Sequence, residues 1–239
     1  MHRVSIWLCL WHLTAAFVFA AASVAVCAAS PASGSTDPST RSTDESARPD
    51  ASAWSEAREW KAESLGDIDP RVFDAALAAA ADAVARRLAV DPATLTVIDY
   101  RRPSIEKRMW VYDLRSHALL FDELVAHGRG SGKVLATSFS NGIDSDKSSV
   151  GLFRTGETYE GHNGYSLRLD GLDPGVNDRA RDRAIVIHGA WYVSSVIAKA
   201  QGYLGRSLGC PAVRPEIAHQ LIDAIKGGGL VFAYGGRAS

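Results

Sequence analysis

With 239 residues, 46% of them hydrophobic and 22% charged, the chain has material for one sizeable core and an ordinary globular composition. Its 26 Lys and Arg against 27 Asp and Glu leave a net charge of −1, without the basic excess that a nucleic-acid partner calls for. Of its three cysteines, two (Cys9 and Cys27) fall in the first apolar run, so once that run is removed no internal disulfide can form.

Met1-His2-Arg3 gives a short basic start, and Val4 to Ala29 contains no Asp, Glu, Lys or Arg. The small residues of "AASVAVCAAS" offer cleavage sites after Ala25, Ala28 or Ala29, so residues 1–29 read as an export signal. Left uncleaved, a run of this length would anchor the chain in a bilayer, and only then is a membrane partner implied. Cleavage is the preferred reading. Lipid attachment at Cys27 is disfavoured because Val26 stands where a small residue is required. Residues 30–53 are dominated by Ser, Thr, Pro, Asp and Ala and have no bulky apolar side chain to bury, so a disordered linker is expected. The expected location is outside the cytoplasmic membrane, in the periplasm or cell envelope.

Residues 54–90 read as a helical extension. Asp69 is a good N-cap and Pro70 suits the first helical position. Phe73, Leu77, Ala80, Ala81, Val84 and Leu88 then repeat at helical spacing. From residue 91 to 239 the texture changes to short apolar or alternating runs bounded by turn residues. The runs "TLTVIDY", "RMWVYDL", "HALLFDELVAH", "KVLATSF", "YSLRLDGL" and "RAIVIHG" predict strands. "RPEIAHQLIDAIKGGG" predicts a helix and "LVFAY" a closing strand. Many strands with few helices between them indicate a mainly β, α+β domain and not a doubly wound one.

Cys210 stands in "GRSLGCPAV", residues 205–213. A buried inert cysteine is the plainer expectation for an arbitrary position, but the glycines and Pro211 make this a shaped loop. Gly209 allows close backbone approach, and Pro211 has no N–H, so oxyanion donors must come from Cys210 and the residues before it. A nucleophilic thiol needs a base. His2 and His12 leave with the signal, His162 lies in a Gly/Asn turn, and His117, His127 and His219 suit solvent-facing or structural roles. His188 ends the apolar strand "AIVIHG" just before Gly189, where a rigid element runs out into a loop. An imidazole there would support a thiolate and shuttle its proton.

"IVIHGAWYVS" followed by "GRSLGCPAV", with "SSVGLF" upstream, resembles the L,D-transpeptidase catalytic domain, the YkuD-like family, in its divergent branch with a Ser-x-Gly-Cys-Pro motif. His188 and Cys210 stand 22 positions apart, close to that family's interval. The resemblance covers about the last hundred residues and implies that fold for residues 91–239. It implies Cys210 as nucleophile, His188 as base and the Gly189 carbonyl as orienting acceptor. The oxyanion hole would be the amides of Gly209, Cys210 and Leu208, and Arg206, Ser207 and Tyr192 would face substrate. No cofactor and no metal are implied. The partners would be peptidoglycan stem peptides.

This sequence departs from the commoner motif, which has a second His where Leu208 stands and often Arg or Asn where Ala212 stands. Those departures bear on substrate and acceptor choice. The expected reaction is transfer of a cysteine thioacyl group from a stem tetrapeptide to an amine. Transfer to water, as an L,D-carboxypeptidase, and an inactive cell-wall binding module are the alternatives. A papain-like protease is disfavoured because it places its Cys well before its His. "HGRGSGK", residues 127–133, matches no phosphate-loop spacing and reads as a turn between strands. A zinc site of Cys210, His188 and His162 lacks close ligand pairs.

Overall fold

The computed structural model describes residues 59–236. The expected signal (1–29) and linker (30–53) lie outside the described residues. Among the described residues no helix is long and apolar enough to cross a membrane.

The first long helix, α1 (Pro70–Ala85), begins as its sequence directs: Asp69 accepts from the Arg71 amide at 3.0 Å and Pro70 occupies the first turn. Val72, Phe73, Ala76, Leu77, Ala80, Ala83 and Val84 form its buried face. Among the described residues eight strands follow the helix in a single sheet: β1 (Thr94–Asp99), β2 (Met109–Asp113), β3 (Ala118–Glu123), β4 (Gly151–Gly161), β5 (Gly164–Gly171), β6 (Val186–Gly189), β7 (Ala212–Val213) and β8 (Leu230–Tyr234). Two further helices, α2 (Ser195–Gln201) and α3 (Pro215–Ile225), flank β7. The spatial order is β3-β2-β1-β8-β4-β5-β6-β7. β1 with β8 and β6 with β7 are parallel, and the other pairs are antiparallel.

The two outer strands of this order meet. Just past β3, the Ala126 amide donates to the Ala212 carbonyl of β7 at 2.8 Å, which curls the sheet into a barrel-like closure. The mainly β, α+β architecture is therefore that of the sequence reading.

Strand alternation divides the side chains between two cores. Ile98, Met109, Val111, Phe153, Leu167, Ile187, Val213 and Val231 pack with α3 in one. Leu95, Val97, Trp110, Tyr112, Leu152 and Leu230 pack with α1 in the other. Trp60 meets Phe73 and Tyr112 edge-on at ring separations of 5.0 and 5.5 Å, and stacks on His117 at 4.5 Å, which gives His117 a structural role.

Three elements differ from expectation. "KVLATSF" forms no strand, because its apolar side chains are dispersed: Val134 and Leu135 are exposed, while Ala136 enters the core. The long strand β4 carries Thr, Glu and Arg on its outer positions and so lacks an apolar run, and α2 is only seven residues long. Neither β4 nor α2 is apparent from periodicity.

Candidate active site

The alternation that builds the barrel core also builds the site. Leu167, Ile187 and Val213 point into the core shared with α3. Their neighbours Ser166, His188 and Ala212, which are mutual partners across β5, β6 and β7, therefore face the other way. At this end of the sheet α1 gives way to a third apolar cluster of Ala126, Ala190, Val193, Ala198, Leu204 and Ala212. His188, the strand partner of Ala212 in that cluster, is only 3% exposed. Parallel pairing sets His188 beside Ala212, and Cys210 stands two residues earlier on that chain. The imidazole is thus on β6 and the thiol in the turn that enters the neighbouring β7.

The Gly189 carbonyl lies 2.9 Å from His188 Nδ1. A carbonyl can only accept, so Nδ1 carries the proton and Nε2 is left as the basic nitrogen. His188 makes no hydrogen bond with Cys210 here; Cys210 Sγ donates to the Ala184 carbonyl at 3.6 Å. Burial pushes the Cys210 thiol up, against the opposing pull of the Val186 amide, the Arg183 charge and its own amide. Burial also pushes the His188 imidazole down, against the Gly189 carbonyl. Both shifts favour uncharged forms. The resting pair is a neutral thiol and a neutral imidazole, whereas the sequence suggested a thiolate steadied by an imidazolium. Desolvation of the site is the physical reason for the difference.

The turn before Cys210 is tightly tied. Ser207, only 6% exposed, accepts from the Gly209 amide at 3.0 Å and donates to the Cys210 carbonyl at 2.6 Å. Gly209 adopts φ of +132°, and a Cβ there would lie 2.9 Å from the Lys147 carbonyl. With the Gly209 amide engaged, Leu208 and Cys210 are the amides of this turn without an acceptor in another residue, among the described residues. Leu208 itself projects outward, 63% exposed.

Arg206 and Tyr192 line a groove of about 430 Å³ beside this turn, with Arg129, Trp191, Ile197 and Tyr203. The Arg206 guanidinium donates to the Gly132 carbonyl and lies over the Tyr203 ring, where Lys133 also sits. Burial, and then the proximity of Cys210, pushes the Tyr192 hydroxyl up to about 12. His162 lies apart from these groups, exposed in the turn between β4 and β5, and His219 is a surface residue stacked on Tyr165. Among the described residues no group of three or more His, Cys, Asp or Glu side chains could hold a metal ion.

Two polar groups at the site lie outside the candidate site residues named from the sequence. Arg183 reaches across to the 140–149 segment, where its guanidinium meets the Ser140 and Lys147 carbonyls and the Ser145 and Ser149 hydroxyls. None of these partners is a carboxylate, so the charge beside the Cys210 turn is not neutralised. Ser148, from the same segment, donates to the Gly209 carbonyl at 2.9 Å. The "HGRGSGK" stretch is more than a turn: Gly128 packs so closely against the Cys210 turn that a Cβ would lie 2.8 Å from Gly209 Cα.

This mainly β domain, with Cys210 in the turn entering β7 and His188 on the adjoining β6, matches the family model of the L,D-transpeptidase catalytic domain over residues 64–234. The chain belongs to that family. An L,D-transpeptidase from Mycobacterium smegmatis is 14% identical, with 59% of this chain and 58% of that one covered and a TM-score of 0.37. The catalytic domain of the E. faecium L,D-transpeptidase is 14% identical, covering 59% and 96%, at a TM-score of 0.38. The helical cell shape determining protein Pgp2 of Campylobacter jejuni is 14% identical, covering 61% and 49%, at a TM-score of 0.40. The chain thus spans about three fifths of the Mycobacterium smegmatis structure and half of the Campylobacter jejuni one. No curated protein matches the chain.

Proposed function

We propose that the chain is a peptidoglycan L,D-transpeptidase that works through a thioacyl intermediate on Cys210. L,D-transpeptidases act on peptidoglycan stem peptides, and the donor would be a stem tetrapeptide. His188 Nε2 takes the thiol proton as Cys210 Sγ attacks the carbonyl that follows the diamino acid at the third position. The negative charge formed on that oxygen meets the amides of Leu208 and Cys210. Collapse breaks the C–N bond, and the proton held by His188 goes to the departing D-alanine amine. An acceptor amine then attacks the thioester, gives its proton to His188, and leaves an amide cross-link and a free thiol. Arg206 and Tyr192 would face the substrate in the adjoining groove, and the buried hydroxyl of Ser207 would shape the turn. The segment at residues 1–29 would carry the enzyme to the periplasm or cell envelope.

The observation that carries this reading is the tautomer of His188, which the Gly189 carbonyl fixes with Nε2 unprotonated, one strand away from Cys210. Purified protein and its Cys210→Ala variant, incubated with tetrapeptide muropeptides with and without an added amine, test it by mass spectrometry. Cross-linked or amine-capped products from the wild type alone support transfer. Tripeptides alone would make the enzyme an L,D-carboxypeptidase. Equal turnover by the variant would remove Cys210 from the chemistry.

A further inference from the structure

Ser148 is 1% exposed and is held on several sides. Its amide donates to Ser131 Oγ at 2.8 Å, and its hydroxyl accepts from the Gly128 amide at 2.9 Å. With the Gly128 amide on its oxygen, the single hydroxyl proton is directed to the Gly209 carbonyl, 2.9 Å away. That carbonyl belongs to the same peptide plane as the Cys210 amide. In a trans peptide the C=O and N–H point in opposite directions. Drawing the Gly209 oxygen inward onto Ser148 therefore turns the Cys210 N–H away from the body of the protein. Gly209 has no side chain to hold that plane, and at φ of +132° it leaves the plane dependent on what binds its oxygen.

We propose that Ser148 is a positioning residue for acyl transfer: by holding the Gly209 carbonyl it aims the Cys210 amide at the oxyanion that forms when the thiol attacks an acyl carbonyl. The proposal rests on Cys210 acting as an acyl-transfer nucleophile, but not on which acyl donor it takes. Arg183 acts with it from further out. Its hydrogen bonds on both sides of Ser148, to Lys147 and Ser149, pin the segment that carries the hydroxyl.

The test compares two reactions of the same thiol. Acylation by p-nitrophenyl acetate passes through a tetrahedral oxyanion, whereas alkylation by iodoacetamide displaces iodide and forms none. Ser148→Ala should slow acylation at least about tenfold, towards the roughly 100-fold effect of losing an oxyanion donor outright. Its alkylation rate and the pH midpoint of alkylation should stay within about twofold and about 0.3 pH unit of wild type, on the same peptide-plane argument. Ser148→Thr, which keeps the hydroxyl, should recover most of the acylation rate. Equal slowing of both reactions, or no slowing of either, overturns the proposal. Should Ser148→Ala fail to fold, Ser131→Ala loosens the same serine by removing the acceptor of its amide. It should show the same split at smaller amplitude, and an absence of split there overturns the proposal equally. A variant that shows the split in a protein that turns over no muropeptide would sink the peptidoglycan reading and leave this one standing.

Discussion

Arg108 Nη2 lies 2.8 Å from His127 Nδ1, and neither side chain reaches solvent. The rest of the guanidinium donates to the Val125 and Arg102 carbonyls, and no carboxylate meets it. Burial draws the arginine down only to about 10, so it remains charged at neutral pH and His127 must accept. A second proton on that ring would face a buried cation. Burial first, and Arg108 second, push the His127 imidazole down to about 4, against a smaller upward pull from the Gly132 carbonyl.

The consequence is acid sensitivity. An unfolded histidine takes up its proton near pH 6.5, while the folded one resists until about pH 4. Between those values the unfolded chain binds the extra proton, so stability falls as the pH falls. The loss attributable to His127 is about 3 kcal/mol once pH 4 is reached. Urea unfolding at pH 7 and pH 4.5 should show a larger drop for wild type than for His127→Gln, which can still accept from Arg108. Parallel drops in the two proteins would show that His127 is not the group responsible.

The neutral resting pair gives a second expectation. The alkylation midpoint of Cys210 should lie above that of a free thiol, about 8.5. Turnover should hold at neutral pH and decline in acid with a midpoint below the ordinary histidine value of about 6.5, because burial lowers His188. An alkylation midpoint below pH 7 would mean that a thiolate is already formed at rest.

At Gly209 the expectation is steric. A Cβ would press on the Lys147 carbonyl at 2.9 Å and on Ile185 Cδ1 at 3.1 Å, from a backbone angle of +132° that side chains rarely tolerate. Gly209→Ala should lower stability by about 1–3 kcal/mol and suppress p-nitrophenyl acetate acylation at the same time. A variant with the wild-type melting temperature and acylation rate would show that the turn has room to relax.

Phe73 probes the other end of the molecule. It is fully buried, edge-on to Trp60 and Tyr112. Phe73→Ala should lose about 3–5 kcal/mol in denaturant unfolding while leaving Cys210 alkylation unchanged in the folded protein. A loss below about 1 kcal/mol would make α1 peripheral to the sheet.

Local chemistry made much of this fold readable. Asp69 and Pro70 start α1 through contacts within two residues, and the apolar runs around Leu95, Val111, Ile187 and Val231 alternate as strands must. His188 before Gly189 was visible as a strand end for the same reason. What could not be read is what depends on chain ends meeting. β7 is two residues long and exists because β6 lies on one side and Ala126 on the other. Ser148 belongs to the "SSVGLF" segment, but its role shows only when Gly209, 61 positions away, comes to its hydroxyl. Arg183 looks like one more surface charge among several, because its partners are backbone carbonyls and hydroxyls, which leave no mark in a pattern of residue types.

The meeting of Ala126 with Ala212 also bears on the turn that carries the thiol. The segment from Ala126 to Arg129 lies along the segment from Ser207 to Ala212, with the Arg129 amide on the Ser207 carbonyl and the Ser207 amide on the His127 carbonyl. Gly128, within that seam, donates to Ser148 Oγ, which in turn meets the Gly209 carbonyl. Without that seam the Cys210 turn would lose the packing of Gly128 against Gly209. The contact that joins the two ends of the strand order is therefore also the one that packs the turn around Cys210.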